Sequence, residues 1–240
     1  MEKDVFLKRL DAFLIPHFTS PNIAGGHDWA HVCDVAALGP RIAAYYLTFD
    51  LDEFAVLARL HNVDRSPSLL EETSEEERME QLLADSPFDN ATRARIINAA
   101  LRHSQKDIQP DDSSLLIALM DADKLVRFQP SWLLGVGAFG FTLHLPLFLP
   151  TRPFGFMSTK PKDRFSIWIE FMSVLEWVGM LSCDAARELI DRRYLRLRID
   201  FLRLWGEEIA VQTGVENTSE DDIKKALGRY YGWALEHAGL

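Results

Sequence analysis

Apolar residues recur three and four positions apart in block after block of this chain, the periodicity of helices that bury one face. In residues 3 to 17, Val5, Phe6, Leu10, Phe13 and Leu14 align and predict an opening amphipathic helix. After the loop FTSPNIAGG, Asp28 is placed to cap a second helix with apolar positions Val32, Val35, Ala36, Ile42, Ala43 and Tyr46. Pro40 predicts a kink or break within it. Residues 51 to 62 predict a third helix that buries Phe54, Leu57, Ala58 and His61. The acidic run from Glu71 to Glu80 reads as a solvated face leading into a helix that ends near Leu83. Residues 90 to 103 follow, capped by Asn90, with Ile96, Ile97, Ala100 and Leu101 inward. The segment SLLIALMDADKLVRF is one more helix.

From Pro130 to Pro161 the pattern gives way to glycine, proline and aromatic residues, so residues 130 to 162 are expected to be an irregular insertion. An apolar helix from Phe165 to Leu181 and a long one from Cys183 to Gln212 are expected next, then a short helix in the tail. Trp168, Phe171, Leu175 and Val178 read as core, and Arg192, Arg193, Arg196, Arg198 and Arg203 as the wet side of a buried helix. There is no internal repeat and no convincing strand pair. The pattern predicts an all-α fold, with residues 1–212 as one helical domain and 213–240 as a C-terminal extension.

Composition narrows the function more than the fold. Hydrophobic residues make up 48% of the 240, which excludes a disordered chain. The 36 acids against 26 bases leave a net charge of -10, too negative for a nucleic-acid polymer to be the expected partner. A small phosphorylated ligand needs only a few local cations. Cys33 and Cys183 are too few for a disulfide scaffold or thiolate zinc cluster. No apolar run reaches the roughly 20 residues of a membrane span, and the N-terminus has no signal-peptide core. A cytoplasmic protein is expected.

The candidate chemistry is an ordered set near predicted helix ends: His27-Asp28-Trp29-Ala30-His31, then His61-Asn62, then His103-Ser104, then Asp121-Ala122-Asp123-Lys124. Each histidine alone is read as a helix cap or packing residue. Together, imidazoles and carboxylates suit a divalent cation such as Mn, Fe, Zn or Mg.

This order and context resemble the HD superfamily of metal-dependent phosphohydrolases, whose pattern is H…HD…D on an all-α core. The likeness is closest to small bacterial proteins with HDxxHxxxV, then HS, then DADRLDALGAIG. Here HDWAH with Val35, His103-Ser104, DADKL and Gly137-Ala138-Phe139-Gly140 correspond, over residues 3 to 205. The resemblance implies an HD-domain-like helical bundle. It also implies His31, His61 and Asp123 as metal ligands, with Asp121 as a neighbour and Asn62 in the place of a further ligand. His103 and Lys124 would contact substrate phosphate.

Three departures stand out. The defining doublet is His61-Asn62 rather than His-Asp, which removes an anionic oxygen. Asp64 could replace it only if the helix ends before it. Val126 stands where an acid is usual, and FQPSWLL precedes the GAFG segment. One expected function is hydrolysis of a small nucleotide or phosphorylated metabolite, with Lys124, Arg65 and His103 neutralising phosphate and Asp64 nearby. The other is a degenerate protein that binds such a ligand, or acts as a scaffold, without hydrolysis. A homo-oligomer is compatible with either.

Overall fold

The computed structural model describes residues 2–20, 23, 26–71, 73–105, 107–130, 137, 140, 144–146, 166–167, 170–171, 174–213 and 219–240. The expected all-α architecture is present: the described residues contain helices and turns and no strand. The helices are α1 (Lys3–Phe18), α2 (Trp29–Tyr45), α3 (Leu51–Leu60), α4 (Glu75–Leu83), α5 (Asn90–Arg102), α6 (Ser114–Val126), α7 (Asp184–Arg187), α8 (Arg192–Thr213) and α9 (Glu220–Ala238). No helix among the described residues is long and apolar enough to cross a membrane. They divide into two compact units. One comprises residues 1–126 with 182–186, the other residues 127–181 with 187–240. These units are drawn differently from the expected segments 1–212 and 213–240, because α9 packs on α8 within the second unit.

In the first unit α2 packs against both α3 and α6, and α3 packs against α5. The periodicity explains which faces meet. Helix α1 buries Phe6, Leu10, Leu14 and Phe18, four residues apart, so its stripe is narrower than expected and leaves Val5 and Phe13 exposed. Asp28 does cap α2, accepting from the His31 N–H at 3.0 Å. Pro40 does not break α2: it sits on the exposed side of a helix that continues to Tyr45. Proline removes one hydrogen bond there, and the buried residues Val35, Leu38 and Ile42 on either side of it hold the helix together. The cap of α5 is Asp89 rather than Asn90, because the Asp89 carboxylate accepts from the Thr92 N–H at 2.8 Å. Leu101 is half-buried rather than inward. Before α4, Ser74 and Glu77 form a reciprocal capping box; Glu76 and Glu80 stay exposed, while Glu75 is half-buried, which raises its pKa.

The second unit departs further from the periodic reading. Ile167, Glu170 and Phe171 are helical, but Val174–Val178 is a 3-10 turn instead of the expected continuous helix. The Arg187 side chain donates to the Val178 and Leu181 carbonyls at 3.1 and 3.4 Å, which satisfies the backbone where the turn ends. The expected helix from Cys183 to Gln212 is interrupted between α7 and α8, because Asp191 accepts from the Tyr194 N–H and starts a new helix. The tail helix α9 spans 19 residues and is not short. Phe171, Leu175 and Val178 are core, as expected; Trp168 and most of the 130–162 segment lie outside the described residues. Arg198 is a correction: it is 2% exposed and donates to the Arg127 carbonyl at 2.6 Å, so it belongs to the interior. Burial pushes its guanidinium down to about 10.

Gly39 marks a close approach of α2 to α3 in the first unit. A methyl group there would fall inside the van der Waals envelope of the buried Phe54 ring. Gly39→Ala should therefore destabilise the protein, since overpacking costs about 1–3 kcal/mol and outweighs the roughly 1 kcal/mol gained in helix propensity. Chemical denaturation of Gly39→Ala with and without Phe54→Leu checks this. The double variant should lose less than the two single losses added together.

Candidate metal centre

Three helices bring the candidate ligands together. His31 lies in the first turn of α2, His61 caps the C-terminus of α3, and Asp123 lies on α6. Their ligand atoms all lie within 4.8 Å of one another. The His31 Nε2 is 3.1 Å from the His61 Nε2 and 3.3 Å from the Asp123 Oδ1. His31 and His61 are buried, while Asp123 keeps partial exposure. Such a group could hold a metal ion.

The local structure sets the chemistry of each nitrogen. At the end of α3 the last carbonyls lack intrahelical donors, and the His61 Nδ1–H donates to the Ala58 carbonyl at 2.7 Å. Complete burial first, and the nearby His31 and His103 second, hold the His61 imidazole well below its ordinary pKa. A neutral ring that donates through Nδ1 leaves a lone pair on Nε2. That lone pair faces His31 Nε2 and Asp123, so two imidazole nitrogens and one carboxylate oxygen point at a common volume. The donor set fits a borderline divalent ion. His103 repeats the arrangement at the end of α5, where its Nδ1–H donates to the Ala100 carbonyl and its ring meets that of His61 edge-on at 5.4 Å. His27 lies beside His31, with ring centroids 5.9 Å apart.

The other sequence candidates divide. Asn62 is buried, and its Nδ2 has no hydrogen-bond partner. Lys124 is buried with its Nζ unpartnered; burial lowers its pKa, against the pull of Asp121, Asp123 and Asp107. The helix does end before Asp64, as a replacement ligand would require, but Asp64 pairs with the exposed Arg65 at 2.9 Å and lies outside the ligand group. Cys33 is exposed.

Asp121 is not one of the converging ligands either. It is fully buried and accepts from the Tyr46 hydroxyl at 2.7 Å, the Ser182 N–H at 3.0 Å and the Ser182 hydroxyl. Residues two apart on a helix point about 200° apart, so Asp121 and Asp123 cannot share a ligand face. Burial and the adjacent carboxylate push the Tyr46 phenol far above its usual range, which keeps it a donor. Neither Tyr46 nor Ser182 was a sequence candidate. Ser182 lies 61 residues from Asp121, and no local pattern links them.

No family model and no curated protein matches this chain. Solved structures do. The fold is similar to that of Bacillus subtilis YpgQ, crystallised in complex with ADP, with TM-score 0.60 and 18% identity over 90% of this chain and 100% of that one. It is also similar to a Lactobacillus plantarum protein, with TM-score 0.64 and 12% identity over 88% of this chain and 100% of that one. At these identities the likeness establishes a shared fold.

Two predictions follow the geometry. Asp121→Ala should lower the unfolding free energy by about 3 kcal/mol or more, since buried donors lose their acceptor, and Tyr46→Phe by about 1.5–3 kcal/mol. Urea denaturation measures both, and an Asp121→Ala protein of unchanged stability that binds no metal would make Asp121 a ligand after all. His61→Ala should remove bound metal with the fold retained, measured by elemental analysis of protein purified without chelator alongside circular dichroism.

Proposed function

We propose that this chain is a metal-dependent phosphohydrolase of the HD type that acts on a small nucleotide or phosphorylated metabolite, with a site weakened by Asn62. The observation that carries the reading is the convergence of His31, His61 and Asp123 from three helices at ligating distances. When bound, a divalent ion supplies Lewis acidity to a phosphoryl group and acidifies water. Burial holds the His61 imidazole in the neutral state that ligation requires, because the metal competes with protons for the same lone pairs. Of the expected ions Mn, Fe, Zn and Mg, the two imidazoles favour the borderline ones over Mg, which prefers oxygen donors.

Two buried donors without acceptors, Asn62 Nδ2 and Lys124 Nζ, adjoin ligands in sequence and suit an anionic ligand. Lys124 and His103 are assigned to phosphate charge, with Arg65 in a more exposed supporting place beside Asp64. A nucleotide is favoured as the ligand class because YpgQ, which has a similar fold, was crystallised with ADP. The second reading, binding without turnover, is favoured by Asn62 itself. Its neutral amide leaves Asp123 as the single anion of the converging group, and a metal needs charge as well as donors to acidify water.

Asn62→Asp separates the two readings. It is nearly isosteric and restores an anionic oxygen beside His61. For a weakened hydrolase, metal affinity should rise by about tenfold or more, and hydrolysis across a panel of nucleoside di- and triphosphates should rise with it. Tighter metal binding without turnover in either protein supports the binding reading. Natural activity that Asn62→Asp leaves unchanged or lowers would overturn the weakened-hydrolase reading.

A further inference from the structure

Helix α8 is apolar on two sides. One side, with Leu195, Ile199 and Leu202, is buried, as is Arg198. A second strip carries Arg196, Asp200, Arg203 and Glu207, which are occupied by i,i+4 ion pairs and by Tyr231 of α9. The third side carries Leu197, Phe201 and Leu204, exposed by 58%, 54% and 57%. Three large apolar side chains at i, i+4 and i+7 form one continuous stripe, and a helix with apolar residues on opposite faces signals burial on both.

The ends of the stripe indicate what covers it. At about 100° per residue, Arg193, Leu197, Phe201, Leu204 and Glu208 fall within an arc of about 80°, along roughly 22 Å of helix. All five are exposed. The stripe therefore runs from a cation through three apolar residues to an anion. Reversed end for end, it is complementary to itself. A two-fold axis between Asp200 and Phe201 would set Leu197 against Leu204 of a second copy and Arg193 against its Glu208. A parallel pairing would set like charges together.

We propose that this face is the interface of a homodimer in which α8 of two copies pairs antiparallel. The patch is small beside the roughly 800 Å² per partner of a standard interface, so the dimer is weak and reversible. The interface is independent of the metal centre, and His61→Ala should dimerise like the natural protein.

Sedimentation equilibrium on the full chain, from about 5 to 500 µM to span the range of weak interfaces, should show the mass climbing from 27.4 kDa toward twice that value. Phe201→Glu should weaken association at least about tenfold, as expected for a central anchor, with an unchanged circular dichroism spectrum and only a slightly lower melting temperature, since it also gives up the stack on Trp205. Arg193→Glu and Glu208→Arg should each weaken self-association, and mixing the two should restore it, because their end charges complement one another. A mass of 27.4 kDa throughout the range, a dimer indifferent to Phe201→Glu, or charge variants that fail to complement on mixing would each overturn the proposal.

Discussion

A single buried carboxylate governs the geometry of the first unit. Asp121 has no exposure, and removing an ionised group from water costs several kcal/mol unless its oxygens are satisfied. Here the Tyr46 hydroxyl and both donors of Ser182 satisfy them. These partners come from the end of α2 and from residues 182–186, so the carboxylate ties α6 to two segments remote in sequence. It also sets the rotation of α6 about its axis. With Asp121 turned inward to this network, Asp123 is carried round the helix to the side where His31 and His61 stand.

The histidines owe their state to helix ends and burial. His61 and His103 each terminate a helix and each donate to a carbonyl three residues back, so a capping duty and a ligating duty are compatible on the two nitrogens of one ring. The same interaction that closes α3 thus selects the tautomer that leaves Nε2 available. Burial keeps that nitrogen unprotonated, while Asp123 stays partly exposed. The arrangement is polarised. Its nitrogens are dry and its anion borders solvent.

The second unit is built around a different buried charge. Arg198 lies inside α8's packed face and donates to main-chain carbonyls of Arg127 and Phe171, while Arg127 lies over the Trp177 ring. Complete burial of Arg198 lowers its guanidinium pKa. Among the described residues, this unit is organised by polar contacts threaded through an apolar core, and Trp205 links that core to the outer stripe of α8, its ring meeting both Phe171 and Phe201.

The sequence determined the all-α class, most helices of the first unit and the cap at Asp28, features that are local: a period of 3.6 and a capping carboxylate. The grouping of His31, His61 and Asp123 as candidates comes from the resemblance to the HD pattern, since residue types alone leave each histidine readable as a cap or packing residue. Other expectations failed where distant residues decide the outcome. Val5 and Phe13 continue an apolar pattern yet remain exposed, because amphipathic periodicity cannot say how wide a face the neighbouring helices cover. Arg198 reads as a surface arginine until the Arg127 carbonyl, 71 residues away in sequence, is brought against it. Asp121 and Asp123 are equivalent as letters. Only the tertiary structure separates them, because a carboxylate's role depends on whether hydroxyl and amide donors or imidazole nitrogens surround it.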